Sequence, residues 1–201
     1  MKNLTRRSAV AGVCASFSAF ALAPTAAFAL TEGAAKSMVD KLVGEINRVI
    51  ASGKSETAMY GDFERIFARY SDVSYMAAYS LGNDGRRASA AQKKAYSKAF
   101  QVYIARKYGS RFREFIGGRL EVKGVKQVKK WYEVDATAYL KGQSPFEVKF
   151  LVSDRSGGGK FFNLYVEGIN MLLTERTEIG SMLDKRRGDF DALISDLKKA
   201  S

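Results

Sequence analysis

Histidine is absent from this 201-residue chain, and cysteine occurs only once, at Cys14. Without histidine the chain can form neither a Ser-His-Asp nor a Cys-His catalytic centre, and it offers no imidazole ligand to zinc. A single cysteine excludes a disulfide within one chain. We therefore expect no metal site and no cofactor.

The chain is strongly basic, with 33 Lys and Arg residues against 21 Asp and Glu, for a formal net charge of +12. Apolar residues make up 46% and charged residues 27%, which is a globular balance, and the length favours one domain. Two clusters carry much of the excess: Arg86, Arg87, Lys93 and Lys94, then Lys123, Lys126, Lys129 and Lys130. Phosphate headgroups, acidic partner surfaces and plain solvation are all compatible with them, and a solvated surface is the commonest case.

Residues 1–29 have the three parts of a secretory signal peptide. A basic start is followed by an apolar stretch over residues 8–22, which is too short to span a membrane stably. Ala27-Phe28-Ala29 then forms a small-x-small cleavage pattern, so the mature domain is predicted over residues 30–201. The basic start consists of Lys2, Arg6 and Arg7.

The export route stays open at this point. Arg6-Arg7 after Thr5 is a partial match to the twin-arginine motif, and ordinary secretion is the alternative. A lipid anchor on Cys14 is not expected, because Val13 precedes it where a small residue is required. Export predicts a periplasmic protein, and it argues against nucleic acid as the partner of the basic clusters.

Helical periodicity dominates the first half of the mature chain. Apolar residues three and four apart predict helices over about 33–52, 56–70 and 89–107. Between them, Asp72 is a candidate N-cap for a short helix, and Ser89 with Gln92 forms a candidate capping box. Another short helix is predicted over about 110–116.

The period changes to two after Gly118, which predicts strands. Alternating segments cover about 120–122, 132–138, 146–152 and 162–166, with short turns between them. Such links favour an antiparallel meander of about four strands that ends at Gly168, with one apolar and one mostly polar face. Helical periodicity returns over about 170–199. The predicted fold class is α+β: N-terminal helices, an antiparallel sheet and C-terminal helices.

Large apolar residues face one another across the predicted helices and sheet. They can pack into a solid core, or they can leave a deep apolar cavity. Periodicity alone favours the solid core and leaves the cavity open.

Carboxylate pairs offer the only enzyme-like pattern. Glu175 with Glu178 is one pair, and Asp184 with Asp189 and Asp191 is another set that could act as acid and base. Basic neighbours on the same amphipathic helices make salt bridges the better interpretation. No nucleophile motif surrounds Ser153, so we predict no catalytic residue and no enzyme.

Three segments together resemble the MlaC family, the periplasmic phospholipid-binding component of the lipid-asymmetry ABC transport system, also called the toluene-tolerance family. They are FARYSDVSYMAAYSLG over 67–82, ASAAQ over 88–92 followed by Tyr96 and Phe100, and NLYVEGINMLLTER over 163–176. The chain departs from the family at two positions of the third segment. The family often has Asp where this chain has Asn163, and it often has Ser where this chain has Asn170.

The resemblance implies an apolar cavity that takes the acyl chains of a phospholipid and leaves the headgroup near solvent. It also implies a carrier, expected as a monomer, that shuttles between an outer-membrane lipoprotein–porin complex and an inner-membrane ABC transporter with an MCE-domain protein. The resemblance, together with the apolar faces of the predicted helices and strands, indicates the residues that would bind lipid. They are Phe67, Tyr70, Val73, Met76, Tyr79, Phe100, Tyr103, Ile104, Tyr108, Val134, Ala136, Phe146, Val148, Phe150, Val152, Phe162, Leu164, Val166 and Ile169.

Two other functions remain open at the sequence level. A periplasmic adaptor could act through protein contacts alone, with a solid core and no lipid. A small hydrolase is the weakest alternative, because the mature chain lacks both histidine and cysteine.

Overall fold

The computed structural model describes residues 30–109 and 115–200. The predicted signal peptide lies outside the described residues and stays a prediction. The short helix expected over about 110–116 falls mostly outside them as well. Within the described residues, no helix is long and apolar enough to cross a membrane.

The N-terminal part of the structure is helical, as the periodicity predicted. Its helices begin and end close to the expected residues, and each follows an apolar stripe that it buries. They are α1 (Glu32–Ile50), α2 (Glu56–Tyr70), α3 (Val73–Leu81) and α4 (Ala90–Gly109), with a 3₁₀ turn over Asp84–Arg86 before α4.

Both predicted helix caps are confirmed by hydrogen bonds. The Asp72 carboxylate accepts from the backbone N–H of Tyr75 at 3.1 Å. In the capping box, the Ser89 N–H donates to Gln92 Oε1 at 3.0 Å, and the Gln92 N–H donates to Ser89 Oγ at 3.1 Å. These side chains satisfy donors that a helix start leaves without partners.

The sheet is an antiparallel meander with the strand order β1-β2-β3-β4-β5. Four strands match the alternating segments, and the sheet continues past Gly168 into a two-residue fifth strand that pairs with β4. The strands are β1 (Arg119–Val128), β2 (Trp131–Tyr139), β3 (Phe146–Ser153), β4 (Lys160–Val166) and β5 (Ile169–Asn170).

The C-terminal part forms two helices, α5 (Met171–Lys185) and α6 (Phe190–Lys199). The chain turns between them at Gly188, whose φ of 82° lies in the left-handed region that glycine adopts without strain. Helices α3 and α5 contact each other, and α6 packs on α4. The observed fold class is therefore α+β, as predicted.

The two faces of the sheet differ as expected. Helix α1 packs on the apolar face, where it contacts β1, β2 and β3. Its Asn47 side chain donates to the Leu120 carbonyl and accepts from the Leu120 N–H, both at 3.0 Å, so that it joins the helix to the first strand. On the opposite face, Lys149 forms ion pairs with Glu133 at 3.7 Å and Glu147 at 3.3 Å.

An irregular register in β4 changes which side chains lie on the apolar face of the sheet. Val152 of β3 pairs with Phe161, whereas Leu151 pairs with Asn163, so one extra residue is accommodated at this point. Phe161 packs its ring against Phe150 at 5.9 Å, on the apolar face. Phe162 instead packs against Tyr75 and Trp131.

Candidate functional site

A cavity of about 780 Å³ lies between the apolar face of the sheet and the helices. This volume is in the upper part of the range of about 300–1,000 Å³ for small-molecule pockets. Most of its lining is aliphatic or aromatic. The sheet contributes Leu120, Phe146, Val148, Phe150, Phe161, Leu164 and Val166.

The opposite wall comes from five helices, α1 to α5. Amphipathic stripes position these side chains, because each helix turns its apolar face toward the strands. The wall is formed by Leu42 and Ile46 of α1, Phe63, Ile66 and Phe67 of α2, Met76 of α3, Ile104, Ala105 and Tyr108 of α4, and Leu172 and Glu175 of α5.

The cavity reaches solvent at one end. Its exposed lining residues lie in the β2–β3 connection, in the β4–β5 turn, in β5 and in the first turn of α5. They are Gln143, Ser144, Glu167, Ile169 and Thr174. Ile169 is 59% exposed, which is unusual for a large apolar side chain. We call this end the mouth.

Ten of the nineteen candidates named from the sequence line the cavity. The helical ones come from α2, α3 and α4, and the others from β3, β4 and β5. They are Phe67, Met76, Ile104, Tyr108, Phe146, Val148, Phe150, Leu164, Val166 and Ile169.

The other nine candidates lie outside the cavity lining. Val134, Ala136 and Val152 share its sheet face but are at most 1% exposed, within the solid part of the core. Tyr70 and Tyr103 direct their hydroxyl groups to Glu45 and Glu178. The remaining four are Val73 and Tyr79 of α3, Phe100 of α4, and Phe162, which the irregular register of β4 displaces.

The sequence interpretation missed part of the lining for three reasons. The stripes of α1 and α2 were recognised, but nothing in them separates core from cavity wall, so Ile46 and Phe63 were not named. Strict alternation selected Phe162 instead of Phe161. Glu175 was interpreted as a partner in a salt bridge, which it is, but that interpretation did not place it in a buried wall where it is only 2% exposed.

A polar cluster interrupts the apolar wall between α4 and α5. Lys107 donates to Glu175 Oε1 at 2.8 Å and also to Glu178, while the Tyr108 hydroxyl donates to Glu175 Oε1. The Tyr103 hydroxyl donates to Glu178 at 2.7 Å. These ion pairs run between two helices and so join α4 to α5.

The cluster shifts the pKa values of its members. Burial, the hydrogen bond to Glu178 and the nearby carboxylate charges all raise the pKa of Tyr103. Burial opposes the charged forms of Lys107 and Glu178. For Lys107, the hydrogen bonds to Glu175 and Glu178 outweigh the effect of burial and raise its pKa. For Glu178, the hydrogen bonds from Lys107 and Tyr103 outweigh the effect of burial and lower its pKa.

A second, basic groove of about 610 Å³ lies between α3 and α4. Arg86, Lys93 and Lys94 of the first basic cluster line it, together with Lys98. Anions and acidic surfaces are the natural ligands for such a groove. Across the described ranges, no group of three or more acidic, His or Cys side chains is arranged to hold a metal ion.

Comparison with known proteins identifies a family and a solved structure of similar fold. The family model described as MlaC protein matches residues 36–199. The solved structure of the phospholipid-binding protein from Ralstonia solanacearum, in complex with a phospholipid, matches with a TM-score of 0.70. The two chains are 16% identical, and the match covers 83% of this chain and 96% of the other. At that identity the likeness shows a shared fold.

Proposed function

The chain belongs to the MlaC family, as its three sequence segments indicated, and we propose that it is a phospholipid-binding protein without enzymatic activity. The observation that carries the proposal is the open, largely apolar cavity of about 780 Å³. Acyl chains occupy the apolar interior, and the headgroup stays near the mouth. The phospholipid named in the Ralstonia solanacearum structure supports this choice of ligand.

The energetics favour a carrier over simple release into water. Burying a methylene group is worth about 0.8 kcal/mol, so two acyl chains with roughly 30 methylenes gain about 24 kcal/mol relative to water. This gross gain exceeds the practical affinity limit of about 18–21 kcal/mol. A bilayer offers nearly the same apolar environment, so transfer between the protein and a membrane has a small net cost. Contacts with partners can then decide where the lipid goes.

The ten candidates that line the cavity are the proposed acyl-chain contacts. Phe63, Ile66 and Phe161 join them, because they lie in the same apolar wall. Candidates buried in the solid core, such as Val152, support the fold instead.

The cellular role belongs to the same proposal. The protein works in the periplasm after removal of residues 1–29, and it carries lipid between an outer-membrane lipoprotein–porin complex and an inner-membrane ABC transporter with an MCE-domain protein. Family membership and the predicted signal peptide support this role. The basic groove, lined by Arg86, Lys93 and Lys94, is the surface that best suits an acidic partner.

Filling the cavity tests the proposal. Val148 and Val152 lie on the same strand and face, but only Val148 lines the cavity. Val148→Trp should project into open space, preserve the melting temperature within a few degrees and reduce phospholipid loading from vesicles severalfold. Val152→Trp is the matched control. It enlarges a fully buried side chain and should cost about 1–3 kcal/mol of unfolding free energy.

Two measurements separate the outcomes: urea denaturation for stability and extraction of bound lipid for loading. Equal destabilisation by both substitutions would contradict the cavity and favour the adaptor function, in which the core is solid. If a stable Val148→Trp protein still loaded as much lipid as the wild type, the lipid would not bind in this cavity.

A further inference from the structure

Only one of the two carboxylate oxygens of Glu175, in the cavity wall, accepts hydrogen bonds. Oxygen Oε1 of Glu175 accepts hydrogen bonds from Lys107 and Tyr108. Oxygen Oε2 is buried and accepts no hydrogen bond from any residue in the described part of the chain. The residue is 2% exposed, so bulk solvent does not compensate.

A buried polar atom without a partner costs free energy, and more so when it carries charge. Two other buried side-chain atoms within the described ranges also lack a hydrogen-bond partner, Trp131 Nε1 and Asp135 Oδ1, and neither residue lines the cavity. Glu175 is therefore the position where a ligand in the cavity could complete a missing hydrogen bond.

The position and chemistry of Glu175 indicate which part of a lipid could meet it. Glu175 follows Thr174, which is exposed at the mouth, and lies one helical turn after Met171 at the start of α5. Acyl chains carry no hydrogen-bond donor. Only the polar end of a lipid could therefore donate to Glu175.

We propose that Glu175 Oε2 accepts a hydrogen bond from an N–H or O–H group in the polar end of the bound phospholipid. Lys107 and Tyr108 position the carboxylate, and Glu175 makes the contact. This inference rests on the proposed function and adds a preference: phospholipids with a donor in the headgroup bind better than those without one. An acceptor such as phosphate is disfavoured at this oxygen, because both groups are negative.

The test uses three vesicle lipids with identical acyl chains. Phosphatidylethanolamine carries an ammonium donor and phosphatidylglycerol carries hydroxyl donors, whereas the phosphatidylcholine headgroup has no N–H or O–H group. In competition, the wild-type protein should load each of the first two roughly tenfold more than phosphatidylcholine, the ratio expected for one hydrogen bond to a charged acceptor. The first two lipids, compared directly, distinguish the ammonium from the hydroxyl as donor.

Glu175→Gln is the diagnostic variant. Its carboxamide oxygen can still accept from Lys107 and Tyr108, which leaves an NH₂ donor in the place of Oε2. In this variant the loading ratio of phosphatidylethanolamine or phosphatidylglycerol to phosphatidylcholine should fall to about one. Glu178→Gln is the matched control, since Glu178 accepts from the same lysine but does not line the cavity, and it should keep the wild-type ratio.

Equal loading of all three lipids by the wild-type protein would overturn the inference, and this result needs no folded variant. A ratio that survives Glu175→Gln would overturn it as well. Wild-type protein that takes up none of the lipids would instead overturn the proposed function itself.

Discussion

Asn163 illustrates how a single side chain can join two elements at the cavity. Its Oδ1 accepts from the Leu172 N–H at 3.1 Å and from the Leu164 N–H at 2.8 Å. Its Nδ2 donates to Asn170 Oδ1 at 2.9 Å. Asn163 is 6% exposed, and it binds the end of the sheet to the start of α5.

Asn163→Ala should therefore lower the free energy of unfolding by about 1–3 kcal/mol, because it leaves buried backbone N–H groups without an acceptor. Urea denaturation measures the change. Gln143→Ala is the control, since Gln143 is an exposed polar residue of the same lining and its removal should cost less than about 0.5 kcal/mol. Equal stability of the two variants would contradict the role given to Asn163.

Individual site residues were predictable where a regular pattern reached the cavity. Val148 and Phe150 follow simple alternation in β3, and both line it. Alternation failed at Phe161 and Phe162, because one extra residue in β4 reverses which of them lies on the face that lines the cavity. Periodicity could not identify Glu175 as a cavity residue, because a charged residue on an amphipathic helix is normally exposed to solvent.

At the scale of elements, the contact between α4 and α5 depends on charge. Lys107 of α4 bridges Glu175 and Glu178 of α5, and the Tyr103 hydroxyl adds a hydrogen bond. The Glu178 pKa is lowered in the folded protein, so folding favours its ionised form. The Lys107 pKa is raised, so folding favours its protonated form.

These shifts predict the effect of pH. Glu178 contributes stability above its ordinary pKa of 4.5 and loses that contribution as the pH falls through its lower folded-state pKa. The stability advantage of the wild-type protein over Glu178→Gln should be full near neutral pH and should shrink below about pH 4.5. Chemical denaturation of both proteins between pH 3 and 7 measures it. An advantage independent of pH would show that the carboxylate charge does not stabilise this contact.

Elements were more predictable than their details. The helices and the four long strands follow from periodicity, and their caps follow from Asp72, Ser89 and Gln92. Strand β5 has only two residues, which is too short for any period to show. Gly168 was a reasonable end for the sheet, because its φ of 77° indeed marks a turn, but the chain then pairs once more with β4.

At the scale of the whole molecule, periodicity cannot distinguish a solid core from a cavity. Val152 in the solid core is 0% exposed and Val148 in the cavity wall is 4% exposed, so both positions demand an apolar residue. The difference arises from how far the helices stand from the sheet, which depends on many side chains at once. The family resemblance, not the pattern, favoured the cavity.

The central claim is that the protein carries a phospholipid in its cavity. Native mass spectrometry of the protein purified from the periplasm, followed by solvent extraction and lipid analysis, tests it most directly. We predict an added mass that resolves into phospholipid and disappears after extraction. A bare chain mass that stays unchanged after incubation with phospholipid vesicles would contradict the account.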